Sequence, residues 1–194
     1  AKIYQKKNLI DKNIVTFLGR ITYQKGPDYF VEAARKVLDV MPDTHFVMAG
    51  NGDMFLRCLE RAAELRISKR FHFTGFLNYF ETNNLFGMTD VYVMPSVSEP
   101  FGITPLEAMR TGVPVVISKQ SGVAEVLNNS IKVDFWDLNA LSDTIIGLLK
   151  HKEISKQLAA DGTSEVNEMK WEYAALKVRE IYNKTINRRR SVRN

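Results

Sequence analysis

Ser98-Glu99-Pro100-Phe101-Gly102-Ile103-Thr104-Pro105-Leu106-Glu107-Ala108-Met109 follows an apolar run, Val91-Tyr92-Val93-Met94-Pro95. The run predicts a buried strand that stops at Pro95. The residues from Thr104 predict a helix, since Thr104 suits an N-cap, Pro105 the first turn, and Leu106-Glu107-Ala108-Met109 are good helix formers. Strand, tight loop and helix leave backbone N–H groups unpaired at a helix start, beside two carboxylates, Glu99 and Glu107. Unpaired amides and a positive helix end attract phosphate, and carboxylates accept from ribose or sugar hydroxyls. That is the chemistry of a nucleotide-sugar site. A second reading stays open for each acid. Thr104-x-x-Glu107 also fits a capping box, in which Glu107 bonds back to the N-cap amide. Glu99 sits in a proline-flanked loop, where a lone acid is ordinarily just solvated.

Outward from this stretch the chain alternates strand with helix. Ile14-Val15-Thr16-Phe17-Leu18 is β-branched and apolar, as in a strand buried on both faces of a parallel sheet. After it, Pro27 can open a helix whose Phe30, Ala34, Val37, Leu38 and Met41 share one face. Further strands are expected at His45–Ala49, Phe71–Thr74, Val113–Ile117 and Ile131–Val133. Helices are expected near 53–66 and 79–87, with a short one at 121–127. From Leu138 onward the chain reads as helical, with a break near Gly162-Thr163 and a last helix from about Trp171. This rhythm predicts a doubly wound, parallel six-stranded α/β sheet of Rossmann type. Ligands of such sheets bind beyond the carboxyl ends of the strands. The rule gathers Arg20, Lys25, Gly50, Gly75, Glu99 and Ser121 on one rim.

Two of these carry charge suited to a diphosphate. Gly19-Arg20 and Lys25-Gly26 bracket a loop after the first strand, where Arg can grip bidentately and Lys acts as a point charge. Surface cations are the plain alternative. Gly50-Asn51-Gly52 lacks the third glycine of a dinucleotide fingerprint and reads as a tight turn. Thr74-Gly75-Phe76-Leu77 fits either a strand-ending glycine or a backbone contact to a ligand. His45, His72 and His151 form no evident set and read as structural or surface histidines. No metal-ligand spacing and no Asp-x-Asp clamp is present, so no metal and no cofactor are expected.

The 194 residues, 45% hydrophobic and 25% charged, suit one globular domain. No apolar run approaches a membrane span, and there is no leader pattern. The one cysteine, Cys58, lies among helix formers and reads as a buried thiol, compatible with a cytoplasmic setting. The net charge of +5 resides in the ends: Lys2, Lys6 and Lys7, then Arg188, Arg189, Arg190 and Arg193 leave the remainder at −2. This distribution argues against nucleic acid as a partner, while the ends are suited to touch acidic lipid head groups or an absent domain.

Glu99-Pro100-Phe101-Gly102 through Glu107 resembles the E-x7-E motif of retaining glycosyltransferases of the GT-B fold, the glycosyltransferase 4 group, to which glycogen and sucrose synthases are related. The G-R-x4-K-G loop, Thr74–Leu77, the Ser121-Gly122-Val123-Ala124-Glu125-Val126 segment and the terminal Trp171 helix resemble further segments of the same group; Ser121 stands where that group has glycine. The resemblance covers about residues 13–187. It implies one half of a GT-B enzyme, with 1–12 a linker, 13–170 the donor-binding domain and 171–194 a helix and basic tail. The N-terminal acceptor-binding domain has no counterpart in the sequence, so the isolated chain is expected to be inactive. The implied donor is a UDP-, ADP- or GDP-linked sugar. By matching positions, Arg20 and Lys25 would stabilise the departing diphosphate, and Glu99 would hold the donor sugar's hydroxyls. Glu107 would hold those of the ribose, and Phe101, Gly102, Ile103 and Thr104 would offer amides. Gly19, Gly75, Phe76 and Leu77 would complete the donor site. A non-catalytic nucleotide-sugar-binding module, or another GT-B-like enzyme such as an epimerase or phosphorylase, are the rival readings.

Overall fold

The runs Ile14–Leu18, His45–Ala49, Val91–Met94 and Val115–Ser118 become strands that bury both of their faces, while Phe71–Gly75 and Ile131–Val133, at the two sheet edges, are only partly buried. The computed structural model describes residues 12–191. Its strands are β1 (Ile14–Leu18), β2 (His45–Ala49), β3 (Phe71–Gly75), β4 (Val91–Met94), β5 (Val115–Ser118) and β6 (Ile131–Val133). All pair in parallel, in the order β3-β2-β1-β4-β5-β6. The helices are α1 (Pro27–Val40), α2 (Phe55–Glu64), α3 (Tyr79–Phe86), α4 (Thr104–Arg110), α5 (Leu138–Lys150), α6 (Lys152–Glu168) and α7 (Trp171–Ser191).

Side chains alternate across a strand. In β4, Val91 and Val93 join the core formed with α1, α2 and α5, whereas Tyr92 and Met94 join the core formed with α4 and α6. In β2, Phe46 and Met48 face the first core, while Val47 and Ala49 meet Leu85 of α3. Helices therefore cover both sides, and strands that read as continuous apolar runs are the expected result. Phe30 of α1 is the hub of the first core, with ring centroids 5.6–5.7 Å from Phe17, Phe46 and Phe71. Cys58 is buried there, and burial, with the nearby Asp28 charge, pushes its thiol up to about 12. It is a packing residue, as its surroundings in sequence suggested.

Four expectations are corrected. Thr104 is not an N-cap, a point taken up with the site below. Val113 does not begin a strand: its amide bonds back to Ala108 at 3.1 Å and closes α4, so β5 starts at Val115. Segment 121–127 is a 3₁₀ turn over Gly122–Glu125 rather than an α-helical one. No break occurs at Gly162-Thr163, because α6 runs through it. A Cβ on Gly162 would stand 2.8 Å from Met109 Cε, and Thr163 Oγ1 donates to the Met109 carbonyl at 2.7 Å. The small residue admits close packing of α6 on α4 instead of ending a helix. The chain breaks earlier, at His151 (φ −102°, ψ 72°). Of the basic ends, Lys2, Lys6, Lys7 and Arg193 lie outside the described residues, and Arg188, Arg189 and Arg190 fall in the last turn of α7, with side chains that, like that of Trp171, the structure does not describe.

Candidate functional site

Because all strands are parallel, their carboxyl ends share one edge. From β1 the chain turns through α1 toward β2, whereas from β4 it turns through α4 toward β5, on the other side. The crevice between such diverging loops is where doubly wound sheets hold ligands. The two loops that flank it are residues 19–26 and 95–103, the segments singled out for the cations and the first carboxylate.

They are stitched together. The amides of Val97 and Ser98 donate to the Gln24 carbonyl at 2.9 and 3.2 Å. Gly26, at φ +61°, lets the chain pass against the Pro95 carbonyl, whose oxygen would stand 2.1 Å from a Cβ. Lys25, at the end of a 3₁₀ turn (Tyr23–Lys25), reaches across and donates from Nζ to Glu99 Oε2. On the far side Glu99 forms a parallel bridge with Ser121, and the Gly122 amide donates to the Glu99 carbonyl at 2.8 Å. Three loops distant in sequence thus converge on Glu99. The sequence placed Ser121 on this rim with Glu99, but not the bridge that joins them. Ser121 is extended (φ −92°, ψ 139°), so no glycine is required there; the close approach belongs to Gly122, where a Cβ would stand 2.1 Å from the Pro100 oxygen.

Thr104 is the first helical residue of α4, with Ile103 before it as the cap and no side-chain cap bond. Its hydroxyl faces inward, 2.9 Å from the buried Tyr92 hydroxyl. The capping box is therefore not made, and Glu107 stays exposed in the first turn of α4 with its carboxylate uncommitted among the described residues. Pro105 has no N–H, and the amides of Phe101, Gly102 and Ile103 have no partner among the described residues. Phe101 and Ile103 expose 41% and 61% of their surface.

Of the remaining positions, Arg20 lies in the same loop as Lys25, exposed and in no ion pair among the described residues. Gly19, Gly50 and Gly75 sit side by side across the rim: Gly19 N donates to Ala49 O at 3.0 Å and Gly50 N to Gly75 O at 2.8 Å. Gly50 is a packing turn, since a Cβ would stand 1.8 Å from the Gly19 oxygen. Phe76 is exposed, while Leu77 packs partly into the third core cluster, beside Ile14 and Leu85.

Other clusters lie apart from this rim. A hollow of about 450 Å³ between α1 and α2 is lined by Asp28, Glu32, Cys58, Arg61 and Glu64; Arg61 pairs with Glu32 at 2.6 Å and with Glu64 at 2.9 Å, while the buried Asp28 Oδ1 has no hydrogen-bond partner among the described residues. His45 and His72, expected to be unrelated, form a pair on adjacent strands, Nδ1 to Nε2 2.8 Å, with Arg70 3.0 Å from the other His45 nitrogen. Sequence separation hid what the β2/β3 register brings together. Among the described residues no group of three or more His, Cys, Asp or Glu could hold a metal, and no helix is long and apolar enough to cross a membrane.

A family model described as "Glycosyl transferases group 1" matches residues 1–165. An uncharacterized glycosyltransferase of Methanocaldococcus jannaschii is 39% identical over 121 residues, 62% of this chain and 31% of that protein. The C-terminal domain of a glycosyl transferase group 1 family protein of Francisella tularensis superposes with a TM-score of 0.73 at 25% identity, over 80% of this chain and 84% of that one. Anabaena HepE, crystallised with UDP and glucose, shares the fold with a TM-score of 0.82 at 19% identity, over 94% of this chain and 51% of that one. The chain spans 31–43% of the length of the curated relatives it resembles.

Proposed function

The chain belongs to the glycosyl transferases group 1 family, and from that premise we propose that it is the donor-binding half of a retaining glycosyltransferase of the glycosyltransferase 4 group. In this reading the rim binds a nucleoside-diphosphate sugar, and a second domain presents an acceptor hydroxyl to its anomeric carbon. The observation that carries the reading is the meeting of Lys25 and Glu99 where the loops after β1 and β4 diverge.

Each part of the donor has a counterpart in the chemistry of the rim. The departing diphosphate gathers negative charge as the glycosidic bond breaks, and preorganised cations lower that barrier. Lys25 is already held at the crevice, and Arg20 is unpaired in the same loop among the described residues. Backbone amides of Phe101, Gly102, Ile103 and Thr104 supply further donors, and Gly19 leaves its side of the rim open, since a Cβ there would meet no atom within 4 Å. Glu99 accepts from the sugar hydroxyls and Glu107 from the ribose. Gly75, Phe76 and Leu77 meet the base, largely through backbone. The diphosphate's charge is carried by the two cations, with no metal in the scheme. UDP accompanies the Anabaena relative, so a UDP-sugar is the first donor to try.

A thermal-shift panel of UDP-, GDP- and ADP-sugars tests this. A ligand at 100 times its Kd stabilises the fold by about 2.7 kcal/mol. One nucleotide series should raise Tm progressively, roughly with the logarithm of concentration above its Kd; no shift with any of the three would contradict donor binding. The isolated chain should not transfer sugar, and robust turnover by it would contradict the half-enzyme assignment.

A further inference from the structure

Tyr92 stands out on β4 because a phenylalanine would fill its place. It is fully buried between Val91 and Val93, and its ring meets Phe86 edge-on at 5.7 Å. Packing therefore accounts for the ring and not for the hydroxyl, whose burial costs free energy unless it is hydrogen-bonded. Its partners lie on the two sides of the site. One is the Leu18 carbonyl, 3.2 Å away at the end of β1, directly before Gly19-Arg20. The other is Thr104 Oγ1, 2.9 Å away in the first residue of α4, directly after the amides of Phe101–Ile103. Thr104 Oγ1 in turn reaches Met94 Sδ at 3.9 Å.

We propose that Tyr92 is a positioning residue of the donor site, its hydroxyl fixing the start of α4 against the end of β1. The spacing between the Arg20–Lys25 loop and the Glu99–Glu107 segment is then set from beneath, by a group that touches no ligand. The inference rests on the donor-binding reading above. Burial drives the phenol's pKa up; the Thr104 bond opposes this in part, and the Glu107 and Glu99 charges add to it. The group therefore stays protonated and able to donate at neutral pH. A ligand that spans both loops, a diphosphate, depends on the spacing, whereas a bare nucleoside does not.

The test compares UDP, GDP and ADP, each with its own nucleoside, by NMR titration of the whole chain. In Tyr92→Phe, Kd for the diphosphate that binds should rise about 3- to 10-fold, the effect of one net hydrogen bond, with the nucleoside Kd unchanged. Thr104→Val should reproduce that selective loss, and Thr104→Ser, which keeps the hydroxyl, should restore wild-type binding. The Thr104 pair answers the question on its own should Tyr92→Phe fold poorly. Diphosphate affinity unchanged in Tyr92→Phe and Thr104→Val, or equal losses for nucleoside and diphosphate, would overturn the positioning role. A wild-type chain that binds none of the three diphosphates would instead overturn the donor-site reading, and this inference with it.

Discussion

Lys25 and Glu99, 74 residues apart in sequence, meet as an ion pair across the carboxyl edge of β1 and β4. Their side chains are only 18% and 12% exposed, so each charge is sheltered and each needs the other. The pair fixes two chemically opposite groups at one point: a cation suited to phosphate and a carboxylate suited to hydroxyls. Under the proposed function a donor sugar nucleotide takes over both halves, its diphosphate facing Lys25 and its sugar facing Glu99.

Glu99→Gln should separate these roles. It removes the charge that competes with phosphate for Lys25, so a bare nucleoside diphosphate should bind as well as before or more tightly. The matching sugar nucleotide should lose its advantage over the diphosphate. Stability should fall by about 1–3 kcal/mol, because a sheltered ammonium loses its partner. Titrations of the diphosphate and its sugar conjugate decide it; a retained preference for the conjugate would count against Glu99 as the sugar's acceptor.

The Glu165 carboxylate clamps α6 to the loop before β6. It accepts from the backbone and side-chain nitrogens of both Asn128 and Asn129, at 2.7–3.1 Å. Burial alone would raise its pKa, but these donors outweigh burial and hold it below the usual carboxylate value. A depressed folded pKa means stability that is complete above the unfolded value and lost as pH falls through the folded one. Glu165→Ala should cost about 1–2 kcal/mol at pH 7, and less at pH 3. Denaturant midpoints for wild type and variant at both pH values check this; a gap that does not narrow in acid would refute the clamp.

His45 acts in a different window. Its burial, then the neighbouring His72, Arg70 and Lys12, hold its pKa down at about 4, with Asp43 opposing. Unfolding releases it to bind a proton near its ordinary value of 6.5. The unfolded chain therefore takes up protons between pH 6.5 and 4, and stability should decline across that interval as pH falls. In His45→Gln the slope should be shallower between those limits. Equal slopes for the two proteins would show that His45 is not the group responsible.

How far the sequence was legible follows from range. Elements defined by local pattern were plain: the Ile14–Leu18 and Val91–Met94 runs, Pro27 at a helix start and the onset of helix at Leu138 all act through neighbours in sequence. The rim was legible too, since parallel pairing alone sends every strand-ending loop to one edge. What escaped depends on tertiary contact. Gly162 breaks no helix because Met109 of α4 needs the space, and Thr104 gives up its capping role because Tyr92 lies beneath it. The His45–His72 pair exists only through the register of β2 on β3. Tyr92 carried the one usable hint, a hydroxyl in a run that otherwise needed none.

The most direct measurement of the central claim is the affinity of Lys25→Ala for a nucleoside diphosphate beside that for its bare nucleoside, using whichever of UDP, GDP and ADP binds the wild-type chain. Losing a charge-assisted contact of ~1.5–3 kcal/mol predicts a rise of about 10- to 150-fold in the diphosphate Kd, with the nucleoside Kd unchanged. Equal losses for both ligands, or none for the diphosphate, would contradict a phosphate-gripping rim.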